Sequence, residues 1–398
     1  MSLQFITGNS GNGKTKYLFN RIVKEAKANP RDNYLVIVPE QFTMQTQRQL
    51  VDLSENKAIM NIDVLSFKRL AYRVFDELGI TNLTVLEETG KNLVLRKLAA
   101  QEADKLGVIG RNLNRIGYIS EVKSLLSELV QYNISPEELG RYIASGRLSD
   151  TLSDKLKDVL VLYEAFEKFM QDKYITAEEI LNVLSNVAEE SAILRNSVIA
   201  FDEFTGFTPI QNQLIKKLFV ISKKIYVTLT IDCREDIFKS RGMQELFDMP
   251  KRTVKSLTEM AAFYGIEVEE PIILDKNYRL AENEELSFME QQLFRKRRCS
   301  FKKAPKHIHI DCLRDPKQEL TKIARRINEL VRNENLRYRD IAIVTGDVNI
   351  YAGYVREIFD KYNIPYFIDA TQEILFHPFI EFIRSIPDIA AQNFSADA

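Results

Sequence analysis

Over the first eighty residues, short and mostly apolar runs alternate with amphipathic stretches. Leu3 to Thr7, Leu35 to Pro39 and Ile62 to Leu65 have the compact apolar character of buried strands, whereas Lys16 to Lys27 and Phe67 to Leu78 repeat at helical spacing. That is the βαβ rhythm of a parallel sheet flanked by helices. From about Leu86 to Glu190 strand signals vanish. Leu152, Leu156, Val159, Leu160, Tyr163 and Phe166 recur at helical spacing, and two capping boxes mark helix starts: Ser135 with Glu138, where Pro136 takes the first helical position, and Thr176 with Glu179. The pattern predicts an all-helical insertion of roughly one hundred residues, enough to pack its own core. Strand character returns at Ser197 to Phe201 and Lys224 to Ile231, as if the first sheet resumes.

A helix is expected over Glu282 to Phe294, followed by the basic run Arg295, Lys296, Arg297, Arg298, Lys302, Lys303 and Lys306. Then comes a second α/β rhythm. It predicts strands over His307 to Cys312, Ile341 to Thr345 and Tyr366 to Ile368, and helices over Pro316 to Val331, Tyr351 to Tyr362 and Phe379 to Ile389. The expected domains are therefore 1–85 with 191–281, an inserted helical domain 86–190, and the opening of a further α/β domain over 282–398. A sheet begun at residue 307 has little room to close, so the chain reads as a segment of a longer protein.

The chain has 398 residues, more than one core usually supports. Its 55 basic and 56 acidic side chains nearly cancel, so any polyanion must be met by local patches. Cys233, Cys299 and Cys312 are widely separated, which argues against a disulfide framework or zinc site. No apolar run has the length of a membrane span or the form of a signal peptide. A cytoplasmic protein with no membrane partner is expected.

The chemistry is concentrated in Gly8-Asn9-Ser10-Gly11-Asn12-Gly13-Lys14-Thr15, which follows an apolar strand and opens an amphipathic helix. Glycines at this spacing let main-chain amides turn inward around phosphate oxygens, and the helix N-terminus adds partial positive charge. Lys14 is expected to reach the β and γ phosphates of ATP, and Thr15 to offer a hydroxyl to Mg2+. Such a site needs a carboxylate at the end of a neighbouring buried strand. Val198-Ile199-Ala200-Phe201-Asp202-Glu203 has that form, with Asp202 for the metal shell and Glu203 as candidate base.

Several segments together resemble superfamily-one DNA helicases, and more closely the B subunits of AddAB-type ATP-dependent helicase/deoxyribonucleases, relatives of RecBCD. Asp202 to Gln211 looks like the helicase motif in which Asp-Glu-Phe leads to a Pro-x-Gln turn. Val38-Pro39-Glu40-Gln41-Phe42-Thr43 resembles the B subunit's strand end facing single-stranded DNA, Val64 to Ala71 resembles the family segment that begins the next helix, and Arg337 to Val344 is similar to the opening of the second motor domain. Leu274 to Arg279 resembles the Asn-Tyr-Arg element whose arginine, here Arg279, approaches the γ-phosphate. The resemblance implies an α/β fold of P-loop NTPase (RecA-like) type, with an inserted helical subdomain and the start of a second RecA-like domain. It implies a heterodimer with an A-type subunit that processes double-strand-break ends for homologous recombination. It also implies a role in tracking single strands and recognising Chi-type sequences. A C-terminal nuclease with an iron-sulphur cluster would lie past Ala398, as would the second domain's arginine finger, so this stretch alone is expected to turn ATP over slowly or not at all.

The sequence departs from the helicase pattern after Tyr226 to Ile231, where Glu235 falls at the position of a γ-phosphate-sensing glutamine, and a carboxylate there would repel phosphate. The adenine-contacting segment that precedes the phosphate loop in helicases has no counterpart here. Phe42, Phe67, Lys68, Arg69, Tyr72 and Arg73 combine aromatic platforms with cations, as single-strand binding requires. Of these, Phe42 and Arg69 are the DNA-contact candidates, although Phe67 and Tyr72 at helical spacing suit a core equally well. The basic run from Arg295 suits either phosphates or a solvated linker. His307, His309 and His377 lack partners at ligand spacing. Two other functions compete: a catalytically silent DNA-binding scaffold holding nucleotide structurally, and a small-molecule P-loop kinase, which has no need of the insertion.

Overall fold

The computed structural model describes residues 1–81, 84–108, 116–146, 148–171, 174–295, 299–370, 374 and 377–393. Lys296, Arg297 and Arg298 lie outside the described residues. The chain forms two compact units, Met1–Lys303 and Ala304–Ala398.

The first unit opens with β1 (Ser2–Gly8), α1 (Lys14–Ala28), β2 (Tyr34–Ile37), α2 (Thr43–Leu53), β3 (Ile62–Leu65) and α3 (Phe67–Leu78). Side chains of β1 alternate between two cores. Leu3 and Phe5 join one that also holds Leu35, Ile37, Ile199, Phe201 and Val227, while Ile6 joins the other with Val36, Val38, Ala200 and Tyr226. Burial on both faces explains why these strands read as apolar runs rather than strict alternation. α3 starts where the Ser66 hydroxyl accepts from the Arg69 N–H and stops at Gly79, in the left-handed region at φ 68°.

The helical insertion follows: β4 (Val85–Leu86), α4 (Glu88–Gln101), α5 (Ile116–Gln131), α6 (Pro136–Ala144), α7 (Asp150–Met170) and β5 (Ile175–Thr176). Leu95, Leu126, Leu139, Leu162, Tyr163 and Phe166 pack a core distinct from both sheet cores. Of the two expected capping boxes, Thr176 with Glu179 closes in both directions, whereas only the Ser135 half of the other forms among the described residues. Ser135 caps Glu138, and Thr176 and Glu179 bond reciprocally, with Thr176 N–H donating to Glu179 Oε2 at 2.6 Å. One feature was not expected: β4 and β5 pair in parallel, Val85 with Ile175 and Leu86 with Thr176, and so bring the two ends of the insertion together. A ladder two residues long is too short for periodicity to register.

The chain then returns to the sheet through α8 (Ile180–Val187), β6 (Val198–Phe201), α9 (Pro209–Ile221), β7 (Lys224–Thr230), α10 (Asp248–Phe263), β8 (Glu267–Val268), β9 (Ile272–Leu274) and α11 (Glu284–Gln292). The spatial order is β3-β2-β6-β7-β1-β8, with β9 also on β1, and every pairing is parallel. Helices α3, α8, α9 and α10 contribute to one core, and α1 and α2 to the other. β1 and β6 are separated only by β7, so their C-terminal ends reach the same edge of the sheet, with the Gly8–Thr15 loop and Asp202 beside each other. The division between units falls at 303/304, so α11, placed by the sequence at the opening of a second domain, belongs to the first unit.

The second unit contains α12 (Pro316–Asn333), α13 (Val348–Lys361) and α14 (Pro378–Ala391). Leu320, Ala324, Ile327, Ile358, Phe359 and Ile364 form its small core. Here the sequence expectation fails. His307 to Cys312, Ile341 to Thr345 and Tyr366 to Ile368 form no strand among the described residues. A strand needs a hydrogen-bonded neighbour as well as suitable side chains, and none pairs with these segments. Several of their apolar residues stay open, with Ile310 94 %, Val344 93 % and Phe367 87 % exposed, while Ile341 packs against the small core.

Candidate functional site

β1 delivers a fully buried strand end into the loop. Gly11 has φ 89°, and a Cβ there would lie 2.8 Å from both Arg279 Cβ and Asn277 Oδ1, so its identity follows from both backbone strain and close approach. Gly13 is the N-cap of α1, in the left-handed region at φ 80°, and no side chain caps the helix. The first amides of α1 therefore have no side-chain acceptor, and present a positive end to whatever enters.

Three elements converge there. Lys14 Nζ donates to the carbonyls of Gly8 and Asn9, each at 3.0 Å. Thr15 Oγ1 lies 3.3 Å from Asp202 Oδ1 and 3.2 Å from Glu203 Oε1, so its one proton is shared between the two carboxylates. From the segment after β9, the Tyr278 N–H donates to Gly11 O at 3.0 Å, Asn277 Nδ2 to Ser10 O at 2.8 Å, and Arg279 Nη1 to Ser10 Oγ at 3.4 Å. Lys14, Thr15, Asp202, Glu203 and Arg279 all line one cavity of about 710 Å3. Glu203 is held in the left-handed region at φ 64°. A non-glycine residue there stores strain, which the Thr15 contact helps sustain.

Electrostatically the cavity suits an anion beside a cation. Burial pulls the Lys14 ammonium below its ordinary value, against the opposing pull of Glu203 and Asp202, and Arg279 lowers it further. A bound phosphate would return what desolvation removes. Burial pushes Asp202 up to about 6, with Glu203 adding to the rise and hydroxyl bonds from Thr228 and Thr15 opposing it. Its Oδ2 is buried and has no partner among the described residues. An orphaned carboxylate oxygen beside a threonine hydroxyl fits a divalent cation held through phosphate and water oxygens. No cluster of three or more histidine, cysteine or acidic side chains able to hold a metal alone occurs among the described residues.

The raised Asp202 has a consequence for stability. Its folded-state value lies above the 3.8 of an unperturbed carboxyl, so the folded chain binds the proton more tightly, and stability declines as pH rises from about 4 through about 6. Asp202→Asn is expected to stabilise the unliganded protein by about 2 kcal/mol at pH 8, a gain that disappears by pH 4. Urea denaturation at the two pH values checks this, and an equal effect at both would contradict it.

Glu235 and Phe42 sit otherwise than the sequence suggested, and Phe67 takes the core alternative that its spacing left open. Glu235 does not line the cavity; its Oε2 lies 2.6 Å from Lys251 Nζ, which also meets Glu245 at 3.2 Å. Glu235 therefore does not face the cavity in which a phosphate would sit, and its carboxylate shares a buried lysine with Glu245. Phe67 is core, 7 % exposed, and packs with Phe201, Phe204 and Phe207. Phe42 packs against the core beneath α1 and α2. Arg69 instead lines an open groove of about 640 Å3 with Glu40, Lys68, Tyr72, Phe204 and Gln211, and its Nε donates to Glu40 Oε1 at 2.9 Å.

Tyr278 was missed as a site residue. Its ring is 66 % exposed, lines the cavity, and comes within 3.5 Å of the position a Gly13 Cβ would take. The capping box of Thr208 and Gln211 around Pro209, which fixes α9 immediately after the Asp202-Glu203 turn, was also overlooked, although its spacing was there to be read.

A protein-family profile described as "ADDB, N-terminal" matches residues 5–290. The chain belongs to this family. Among curated relatives, the B subunits of ATP-dependent helicase/deoxyribonucleases align along its whole length, at 38 % identity in Lachnoclostridium phytofermentans and 32 % in Clostridium tetani. The namesake in Clostridioides difficile is 34 % identical over 97 % of the chain. The chain spans 35 % of the length of the first two relatives. The family match covers the sheet, the loop and the insertion, and ends within α11. No described helix is long and apolar enough to cross a membrane.

Proposed function

We propose that this chain is the nucleotide- and single-strand-binding N-terminal region of a B-type subunit of an ATP-dependent helicase/deoxyribonuclease. On this reading the first unit is a RecA-like P-loop domain interrupted by the helical insertion. The whole cytoplasmic protein pairs with an A-type subunit to process double-strand-break ends for homologous recombination and to scan single strands for Chi-type sequences. Nuclease action and its iron-sulphur cluster belong to other parts of the longer protein. The observation carrying the reading is the convergence of Lys14, the Thr15–Asp202 contact and Arg279 on one cavity at an uncapped helix end.

The amides of residues 11–15 and Lys14 would bind the phosphates, Thr15 and Asp202 would hold Mg2+, and Tyr278 offers an exposed face for a base. Magnesium, when bound, neutralises phosphate charge. Glu203 would orient and deprotonate water, and Arg279 would meet charge developing at the γ-phosphate. The main reason to prefer a catalytically silent scaffold, a carboxylate facing phosphate, loses force because Glu235 is paired with Lys251.

The groove beside Arg69 fits a single strand, with Lys68 and Arg69 for phosphates and Tyr72 for stacking. The Arg69–Glu40 pair is more than half exposed on both sides, so Arg69 can exchange it for a phosphate at little expense. Arg69→Glu is expected to weaken single-stranded DNA binding roughly 10-fold, flatten its salt dependence and leave ATP-analogue affinity unchanged. Unaltered DNA binding in this variant would rule out the groove. Stimulation of ATP turnover by single-stranded DNA in the full-length protein separates the readings, since a small-molecule kinase would ignore it.

A further inference from the structure

Asn9, the second residue of the loop, is 5 % exposed and fully engaged. Its Nδ2 donates to Glu290 Oε1 at 2.9 Å, its Oδ1 accepts from the Cys233 N–H at 2.9 Å, and its main-chain carbonyl accepts from Lys14 Nζ. Glu290 is carried by α11, whose neighbourhood is fastened to the end of β7. Arg295 Nε donates to Asp232 Oδ2 at 3.0 Å, Arg234 Nη2 bridges Asp232 to the Gln291 carbonyl at 2.9 Å, and the Arg295 guanidinium lies 4.7 Å above the Phe247 ring. Asp232 is 1 % exposed and receives both arginines.

We infer that Glu290 is a positioning residue that couples occupancy of the Gly8–Thr15 loop to the seating of α11, the last helix of the first unit. The inference rests on the reading that this loop binds nucleotide. To reach a phosphate, Lys14 must leave the Gly8 and Asn9 carbonyls that now hold it. The loop then keeps its open shape only through groups that do not move with Lys14, and the Asn9 amide, fixed between Glu290 and the Cys233 N–H, is such a group. Without Glu290 a buried Nδ2 loses its acceptor, and Asn9 is held less firmly while Lys14 moves. Coupling of this kind is reciprocal: if a seated α11 favours the open loop, nucleotide in the loop favours a seated α11. Glu290 Oε1 also lies 3.9 Å from Arg295 Nη2, a looser contact than the 2.9 Å bond from Asn9, and its charge works against a nearby triphosphate, so a neutral acceptor of equal length should keep the bond that matters to the loop.

The test uses the full-length protein, a fluorescent ATP analogue with Mg2+ for affinity, and hydrogen-deuterium exchange of residues 284–295 with and without ATP. In the wild type, ATP should slow exchange across 284–295. Glu290→Ala should bind the analogue about 5-fold more weakly and lose the ATP-dependent slowing. Glu290→Asp, too short to reach Asn9, should behave alike, which keeps the test open if the alanine variant folds poorly. Glu290→Gln should retain the slowing and bind the analogue as well as the wild type or better. A purely structural role would change exchange equally with and without ATP, and that result overturns the inference. Analogue binding with no exchange change at 284–295 in the wild type also overturns it while sparing the nucleotide reading. Absence of analogue binding in the wild type removes both.

Discussion

Replacing Lys14 by alanine is expected to weaken binding of an ATP analogue by about 3 kcal/mol, roughly 100-fold or more in Kd, while leaving the melting temperature nearly unchanged. The asymmetry follows from what Lys14 does in each state. Without ligand its ammonium bonds only to two carbonyls of its own loop, and burial already penalises its charge. Removing it sacrifices little that stabilises the fold. With a triphosphate present, the same ammonium would make charge-assisted bonds in a partly desolvated cavity, where each contributes more than a neutral one. Titration of the analogue by fluorescence, paired with thermal denaturation, reads both quantities. A variant that binds as tightly as the wild type would show that the loop's lysine is not a phosphate ligand.

The second large effect lies far from this site, in the helical insertion. Lys91 on α4 is 2 % exposed, and its Nζ donates to Glu178 Oε2 at 2.7 Å and Glu88 Oε1 at 2.9 Å. Glu178 is itself only 12 % exposed, so its charge depends on this partner, whereas Glu88 at 62 % is largely solvated. Truncating one member of a buried pair leaves the other uncompensated, and Lys91→Ala is expected to destabilise the insertion by about 3–5 kcal/mol. Replacing both, Lys91→Met with Glu178→Leu, should recover most of that loss, because the penalty belongs to the stranded charge and not to the absence of an attraction. Urea denaturation followed by hydrogen exchange of residues 86–190 measures it. A single variant within about 1 kcal/mol of the wild type would mean that Glu178 finds water where the structure shows burial.

What could be read from the sequence follows physical lines. β1, β2, β6 and β7 were legible because burial on both faces writes an apolar run into the chain, and α1 because Leu18, Phe19, Ile22 and Ala26 repeat at helical spacing. The loop was legible because only glycine suits Gly11 and Gly13, so the backbone requirement is printed in the residues themselves. Strands at Ile341 to Thr345 and Tyr366 to Ile368 were misread since alternation records a side-chain pattern and not the presence of a neighbour. The destination of Glu235 could not be anticipated, because Lys251 lies sixteen positions on and only the packing of α10 brings the two together. The same holds for Asn9 and Glu290, separated by 281 positions and invisible to any local pattern. Phe42 and Arg69 looked alike as DNA contacts, yet one packs against a core and the other lines a groove, a distinction no local pattern records.

The most direct test of the central claim is an experimental structure of the protein with Mg2+ and a non-hydrolysable ATP analogue. The β-phosphate should lie within hydrogen-bond distance of the amides of residues 11–15, with Lys14 Nζ moved from the Gly8 and Asn9 carbonyls onto phosphate oxygen. An analogue bound elsewhere, with Lys14 still held by those two carbonyls, would contradict the account.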